Sequence, residues 1–304
     1  MSASATSFRR GLILIVFASM MWGTTGLTSK VLNRLSAVDA LSVGALRLIT
    51  ASPVLLLLGQ ALAPGSLRPL LKREWRAVLI MGAAMAGYNG SFFAALARTS
   101  VTAGTLLALC TAPLFVAVLA RIFLHEPLTR PVLLALGAGL SGTALLVGGQ
   151  GGRDLLRLDY ALGNLLALAA GLSYAVYALV GRAKSRGAPP ASLAALSFTT
   201  AAILLTPFAL ANGLHLPTNS PAWLAVLYLG LIPTALAYAL YLSGLRSVPA
   251  TMASIGTLIE PLTASLLAAL FLGERLTPSG LLGAGLLLSS LAILSFGNTQ
   301  QSTD

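Results

Sequence analysis

Two stretches of the chain repeat one another: TAPLFVAVLARIFLHEPLT at residues 111–129 and IEPLTASLLAALFLGERLT at residues 259–277. Both contain the pattern Pro-x(12)-Glu-x-Leu-Thr, and the two copies are offset by 148 residues. The same offset, without a gap, pairs Trp75 with Trp223. Unrelated apolar segments match at Leu and Ala, and not at Trp, Pro and Glu in the same order. The pattern therefore predicts an internal duplication.

The composition of the chain indicates its class. Of its 304 residues, 57% are hydrophobic and 9% are charged. Soluble domains are about 45–50% apolar and about 25% charged. The apolar runs are continuous rather than alternating, which favours helices over an outer-membrane barrel. The composition therefore predicts an all-α integral membrane protein.

The apolar runs divide into ten candidate spans of about 20 residues each. The first begins like a secretory signal peptide, but its apolar part is longer than the usual h-region and no Ala-x-Ala site follows it promptly. We therefore interpret it as a span. The predicted spans are residues 11–30, 40–61, 76–96, 101–123, 131–149, 160–181, 191–211, 221–244, 250–272 and 279–297. The longest polar stretch between them is expected at residues 62–75, and a polar tail follows the last span.

The duplication divides these ten spans into two repeats of five, at residues 1–150 and 151–304. Because five is odd, the second repeat enters the bilayer from the opposite side. The sequence thus predicts two inverted five-helix repeats around a central cavity, an arrangement common in secondary transporters. Two similar halves in opposite senses can exchange conformations and so open the cavity to each side in turn.

The charge distribution predicts the orientation of the chain. The formal net charge is +11 and there are nineteen Lys and Arg residues. With the N-terminus inside, twelve of them fall on the inner side, six fall on the outer side, and Arg47 lies within a span. The positive-inside rule then places both termini in the cytoplasm. We attribute the positive charge to this rule, and we expect a bilayer partner and no nucleic acid.

No motif in the sequence indicates enzyme chemistry. The chain has one cysteine, Cys110, so it has no disulfide framework and no CxxC metal site. The two histidines, His125 and His215, both lie outside the middle of a span. No Ser/His/Asp set, HExxH motif or P-loop is present. We expect no catalytic residues, no metal and no cofactor.

Glu260 lies about ten residues into the ninth span, roughly 15 Å deep. An acid at that depth costs on the order of 2.5–3.5 kcal/mol, so it should face a cavity or a cation. Pro261 removes the N–H that would bond the carbonyl of Thr257, and it should bend the helix there. Two interpretations remain open: Glu260 lines a substrate site, or it is a buried carboxylate that pairs with Lys30 or Arg47 and holds helices together.

The two cations have alternative interpretations of their own. Lys30 ends the first span and can extend its ammonium to the interface, or it can face the cavity. Arg47 lies about seven residues into the second span, too deep to face lipid. An inward-facing role is therefore expected, either in a packing salt bridge or in contact with substrate.

Aromatic and amide side chains lie within several spans. Tyr174 and Tyr177 are three residues apart, hence on one helix face, and Tyr238 and Tyr241 repeat that spacing. Because a buried tyrosine hydroxyl needs a partner, we predict that these faces line a polar cavity. Ordinary packing between helices is the alternative. The predicted cavity residues are Trp22, Lys30, Arg47, Tyr88, Asn89, Tyr174, Tyr177, Tyr238, Tyr241 and Glu260.

Four residues of the repeated stretches are candidates for hinges and gates. Pro113 and Pro261 are the candidate hinges. Glu126 and Glu274 lie at span ends on opposite sides of the membrane, where they can serve as caps and loop residues or as paired gates. The small-residue runs LGAGLSGTA and LGAGLLLSS of the fifth and tenth spans predict packing faces, because small residues let backbones approach closely.

These motifs resemble the EamA-type transporters of the drug/metabolite transporter superfamily. The resemblance covers both halves and includes MWGTTGLTSK at residues 21–30, ALRLITA at 45–51 and the paired Pro-x(12)-Glu pattern. It implies ten helices, cytoplasmic termini and export of small metabolites across a bacterial-type inner membrane. Length and layout are similar to those of the aromatic amino-acid exporters of the family. One departure is His125, where the second repeat has Gly273 and the family usually has Gly.

We therefore expect a secondary transporter that exports amino acids and related metabolites by alternating access. A cavity of Tyr and Trp suits an aromatic or hydrophobic side chain, with threonine and methionine as further candidates. Lys30, Arg47 and Glu260 would match the two charges of a zwitterion. The alternative is a multidrug or quaternary-cation exporter of the methyl viologen type, in which Glu260 and the tyrosines bind a cation. A membrane enzyme or assembly factor is disfavoured, and the oligomeric state and proton coupling stay open.

Overall fold

A computed structural model describes residues 3–148, 157–273 and 277–297. All regular structure in these ranges is helical. The helices are α1 (Ala3–Leu35), α2 (Ala40–Leu62), α3 (Leu67–Leu96), α4 (Val101–Phe123), α5 (Arg130–Gly148), α6 (Ala161–Ser185), α7 (Pro190–Ala211), α8 (Ser220–Gly230), α9 (Ala237–Gly244), α10 (Ala250–Gly256), α11 (Ile259–Leu272) and α12 (Pro278–Gly297), with a 3-10 turn at Leu158–Tyr160.

The ten predicted spans are confirmed. Within the described ranges, ten helical segments are long and apolar enough to cross a membrane. α8, a π-helical turn at Leu231–Leu236 and α9 together form the eighth span, and α10 and α11 form the ninth. α12 is the tenth. The chain is therefore a multi-pass α-helical membrane protein.

The polar stretch expected at residues 62–75 is largely helical, which corrects the prediction of a loop. α3 begins at Leu67 and is kinked at Glu74, whose φ and ψ are −117° and 25°. Glu74 forms ion pairs with Arg73 Nε at 3.3 Å and with Lys184 Nζ at 2.8 Å. The segment LRPLLKRE at residues 67–74 contains both leucines and basic residues, so it can be helical while its charges stay at the membrane surface.

The contacts between spans follow the duplication. The second span packs on the seventh, and the fifth packs on the tenth. The third and fourth spans pack on the sixth, and their counterparts, the eighth and ninth, pack on the first. The third also packs on the seventh, as the eighth does on the second. Exchanging the two sets of five spans therefore reproduces the contact pattern, as expected of two repeats related by a pseudo-two-fold axis.

The loops alternate between the two ends of the bundle. At one end, Asp39 Oδ1 lies 2.9 Å from His215 Nδ1, and Asn219 donates to the carbonyl of Leu35 at 2.7 Å. We call this the predicted outer end, after the orientation that the charges predict. At the opposite end, the predicted cytoplasmic end, the hydroxyls of Ser66 and Ser192 are 2.8 Å apart.

Asp39 at the predicted outer end caps α2. Its carboxylate accepts from the backbone N–H of Ser42 at 3.2 Å and from the Ser42 hydroxyl. Partial burial raises the pKa of Asp39, but the hydrogen bonds from Ser42 and His215 outweigh it, so the net pKa is lowered. Asp39 thus joins the first and seventh loops as a charged cap.

The fifth and tenth spans meet at glycines, as predicted. A Cβ on Gly142 would lie 2.7 Å from the carbonyl oxygen of Gly283, and one on Gly283 would lie 2.6 Å from that of Gly142. Neither position has room for a side chain. The two small-residue runs are therefore a packing face that lets these backbones touch.

Candidate functional site

The ninth span is interrupted about a third of the way along its length. α10 ends at Gly256 and α11 begins at Ile259. Pro261 has no N–H to give to the carbonyl of Thr257, and that carbonyl accepts from the backbone N–H of Glu260 at 3.0 Å instead. The tightened turn places Glu260 in the first turn of α11. Interrupted helices are typical of transporter binding sites.

The charges of Glu260 and Arg47 act on one another across the bundle. Both side chains are partly exposed, and no direct ion pair joins them in the described ranges. Tyr88 and Tyr238 lie within the electrostatic range of both charges. The structure thus brings four of the predicted site residues within electrostatic range of one another.

Arg47 is oriented by the π-helical turn of the eighth span. Pro233 removes the N–H that would bond the carbonyl of Leu229, and the Thr234 hydroxyl donates to that carbonyl at 2.7 Å. The oxygen of the same hydroxyl accepts from Arg47 Nε at 3.1 Å. Among the described residues this is the only hydrogen bond of Arg47.

Thr234 was not among the predicted site residues. Its signal in the sequence is Pro233, a second proline at the middle of an apolar span. π-helical turns often occur at functional sites, because they displace the helix axis and free backbone groups. Proline alone does not specify which side chain will satisfy the freed carbonyl, so the contact with Arg47 could not be read from the sequence.

The predicted aromatic residues form a packed cluster. The ring of Trp22 lies 4.7 Å from that of Tyr238, 5.4 Å from that of Tyr241 and 6.3 Å from that of Tyr174. Phe198, which was not predicted, lies 4.6 Å from Tyr238. These rings are buried. We call Trp22, Tyr174, Tyr177, Phe198, Tyr238 and Tyr241 the aromatic cluster.

The polar atoms of the aromatic cluster are poorly satisfied. In the described part of the chain, Trp22 Nε1 and the hydroxyls of Tyr174, Tyr177 and Tyr241 have no partner at good hydrogen-bond geometry. The hydroxyls of Tyr174 and Tyr241 still interact with each other, and the hydroxyl of Tyr177 interacts with Ser197. Tyr177 and Tyr241 are 0% exposed and line no open space in this conformation. Their role in binding stays a prediction.

Lys30 and Asn89 are two further predicted cavity residues. The side chain of Lys30 is exposed near the predicted outer end of α1. Asn89 is buried and its amide donates to the carbonyl of Met85, in its own helix, at 2.9 Å. That bond uses one of the two N–H groups of the amide. Binding of substrate by either residue remains a prediction.

Glu126 connects the two repeats at the predicted cytoplasmic end. Its carboxylate accepts from the backbone N–H groups of Ala250 at 2.7 Å and Thr251 at 3.0 Å, and from the Thr251 hydroxyl at 3.0 Å. Arg182 Nε lies 3.8 Å away, and Arg182 also donates to the carbonyl of Leu245. Glu126 is therefore a cap on α10 contributed by the other repeat.

The other candidate hinges and gates are Glu274, Pro113 and Pro261. Glu274 lies outside the described residues. α4 runs without a break through Pro113, whereas the ninth span is interrupted before Pro261. The two prolines thus have different local structures despite the repeat, and a hinge role for either stays a prediction.

In the described ranges, no group of three or more His, Cys, Asp or Glu side chains is placed to hold a metal ion. The groups that converge are instead one cation, one carboxylate and aromatic rings, beside two interrupted spans. Ten spans with interrupted helices among them are typical of secondary transporters.

Comparison with known proteins identifies the family. The chain belongs to the EamA-like transporter family, which matches residues 9–148 and 161–296. It is 36% identical over 293 residues to the uncharacterized transporter YwfM of Bacillus subtilis, with 96% of this chain and 95% of YwfM covered. It is 32% identical over 295 residues to the threonine/homoserine exporter RhtA of Escherichia coli K12, with 95% and 90% covered.

A solved structure confirms the fold alone. It is similar with a TM-score of 0.83 at 21% identity, and the match covers 93% of this chain and 95% of that chain. The relatives described above include an amino-acid exporter, and none of them gives specific support to the aromatic exporters of the family. The aromatic preference therefore remains a prediction.

Proposed function

We propose that the protein exports amino acids and related small metabolites across the inner membrane by alternating access. The observation that carries this proposal is the placement of Arg47 and Glu260, opposite charges at mid-depth beside two interrupted spans. A zwitterion has the complementary pair of charges. The similarity to a protein named a threonine/homoserine exporter supports the same class of substrate.

Each charge has a defined part in recognition. The terminal nitrogens of Arg47 would bind the substrate carboxylate, and a guanidinium suits a carboxylate because both are planar and can form two parallel bonds. Glu260 would bind the ammonium. Tyr88 and Tyr238 would then lie beside the substrate side chain. We infer a preference for aromatic or hydrophobic side chains, with threonine and methionine as further substrates.

The conformation supports a cycle between two open states. The aromatic cluster is buried, and Glu126 bridges the repeats at the predicted cytoplasmic end. Arg47, Tyr88 and Glu260 are partly exposed. We infer that this state is closed to the cytoplasm, where both termini would lie. Residues 1–150 and 151–304 would be the two bodies that exchange conformations. The ninth span would bend before Pro261 as they do so.

The test is counterflow in proteoliposomes. Vesicles loaded with an unlabelled amino acid should accelerate the entry of labelled tryptophan, phenylalanine, threonine or methionine. Arg47→Gln should abolish uptake of the amino acid and affect the corresponding decarboxylated amine less, because the amine has no carboxylate. Glu260→Gln should likewise abolish uptake of the amino acid. It should affect the N-acetyl amino acid less, because that compound has no ammonium group. Absence of exchange in vesicles that hold folded protein would overturn the proposal.

The second candidate is an exporter of drugs or quaternary cations. Aromatic rings beside Glu260 favour it, because rings and a carboxylate attract a cation together. Labelled methyl viologen is therefore tested beside the amino acids. Two results together would select this second function. Methyl viologen would exchange equally well in the wild type and in Arg47→Gln, and no amino acid would exchange.

A further inference from the structure

A basic cleft opens at the predicted cytoplasmic end between α3, α4 and α6. Its volume is about 620 Å³, and it contains none of the candidate site residues. The rim is formed by Arg73, Arg76 and Lys184 around Glu74. The cleft is therefore separate from the transport site.

The rim of the basic cleft has an excess of positive charge. Glu74 pairs with Arg73 and Lys184. Arg76 makes no ion pair in the described ranges and lies over the ring of Trp75, with its guanidinium carbon 5.3 Å from the ring centroid. Three cations thus surround one carboxylate, and two positive charges remain uncompensated. The rim suits an anion.

The floor of the basic cleft is apolar. Ile80 lies four residues from Arg76 along α3, and Val180 lies four residues from Lys184 along α6, so the floor is roughly 6 Å deeper in the membrane than the rim. Phe123 closes one side and is 65% exposed, and Trp75 is 52% exposed. A ligand of this cleft must be charged at the membrane surface and apolar one helical turn below it.

We propose that the basic cleft binds an anionic phospholipid of the surrounding bilayer, such as phosphatidylglycerol. The phosphate would contact Arg76, Lys184 and Arg73, and an acyl chain would follow Ile80 and Val180. A free anion would use the rim and leave the floor bare. A zwitterionic phospholipid would leave the two positive charges uncompensated. Basic pockets between spans at the cytoplasmic side commonly recognise anionic headgroups.

The bound lipid would also stabilise the kink of α3. Glu74 at the kink is held by Lys184 of α6 and by Arg73, and Arg73 donates to the carbonyl of Gly187 at 2.8 Å. A phosphate between Arg76 and Lys184 would join α3 to α6 by a second ionic contact. Lipid binding is thus expected to raise the thermal stability of the protein.

The experiment is native mass spectrometry of the full chain with phosphatidylglycerol or phosphatidylcholine of identical acyl chains. We expect one phosphatidylglycerol to be retained preferentially. Arg76→Gln should weaken its binding roughly fivefold, about the effect of one basic side chain at an anionic headgroup. Arg76→Lys should retain most of it. Arg10→Gln is the control, because Arg10 lies on α1 and outside the cleft.

Two outcomes would overturn the proposal. If Arg10→Gln weakens phosphatidylglycerol binding as much as Arg76→Gln does, the attraction belongs to the whole basic surface and not to the cleft. If millimolar inorganic phosphate displaces the lipid from the wild-type protein, the apolar floor contributes nothing. A thermal shift measured with each lipid checks that all three variants fold.

Discussion

At the scale of single residues, His125 shows how the repeat constrains backbone geometry. Its φ is +54°, in the left-handed region, and Gly273 at the equivalent position has a φ of +69°. Both residues follow the last turn of a helix, where glycine is favoured. The N–H of Glu126 then bonds back to the carbonyl of Ala120 at 3.1 Å. His125 therefore occupies a position that the fold prepares for glycine.

We predict that His125→Gly stabilises the protein by about 1 kcal/mol, because a side chain in the left-handed region is strained. The gain should appear as a higher midpoint of thermal unfolding in detergent. Gly273→Ala is the matched control and should lower the midpoint, since it introduces the same strain in the other repeat. A His125→Gly variant with a lower midpoint would show that the imidazole contributes more than the strain costs.

Asp39 gives a pH dependence with a defined sign. Its net pKa is lowered in the folded protein, since hydrogen bonds outweigh partial burial. Its stabilisation is therefore complete above its unfolded pKa of about 3.9 and is lost as the pH falls through the lower folded value. Asp39→Asn keeps a capping side chain without the charge. The stability difference between wild type and variant should shrink from pH 6 to pH 3, and a constant difference would contradict this.

At the scale of elements, the two interrupted spans differ in how well the sequence predicts them. The break of the ninth span follows from Pro261 and the freed carbonyl of Thr257. The π-helical turn of the eighth follows only in part from Pro233, because α4 contains Pro113 and stays continuous. Proline weakens a helix at a known place, and packing against neighbours decides whether the helix breaks, bends or continues.

Thr234→Val should weaken the transport affinity for amino acids by roughly five- to tenfold, because Arg47 loses the acceptor that orients it. Thr234→Ser should restore the affinity. The decarboxylated amine should be affected less than the amino acid, since it does not use Arg47. Half-saturating concentrations and maximal rates of counterflow separate this effect from a fault in folding. An equal loss for both substrates would limit Thr234 to a structural role.

Glu126 caps α10 from the other repeat, so its removal should loosen the closed cytoplasmic end. Loss of a helix cap costs about 1 kcal/mol, which corresponds to a roughly fivefold larger open population. In a Cys110→Ala background, Glu126→Ala should increase the labelling rate of a cysteine at buried Ser254 about fivefold. Glu74→Gln at the same end is the control. Unchanged labelling would show that Glu126 does not hold this end closed.

At the scale of the whole molecule, periodic and compositional features predict more than local ones. The length of the apolar runs predicts the ten spans, and the 148-residue offset predicts which spans correspond in the two repeats. Both signals are reliable because many residues contribute to each. Which candidate cation lies near Glu260 depends on the rotation of each helix about its axis and on how the helices pack. The structure identifies Arg47 as a cation that acts on Glu260, and it packs Tyr177 and Tyr241 away from open space. Side-chain direction within an apolar span leaves little trace in sequence.

The opposite charges of Arg47 and Glu260 have a consequence for the energetics of transport. When both are ionised, the empty site has no net charge, and a bound zwitterion adds none. Neither the empty nor the loaded protein then moves charge across the membrane as it changes conformation. A carrier that moved one charge through the full field would be biased by about 2.3 kcal/mol per 100 mV, close to fiftyfold in rate.

We therefore predict that amino-acid counterflow is insensitive to membrane potential and to a pH gradient. A potassium diffusion potential of 100 mV across proteoliposomes should change the rate less than twofold for tryptophan or threonine. A cationic amine should respond to the potential, because the loaded site then carries a net charge. Glu260→Gln should make the return of the empty site voltage-dependent, since Arg47 is left uncompensated. Wild-type flux that follows the pH gradient and loses this response in Glu260→Gln would instead identify Glu260 as a proton carrier.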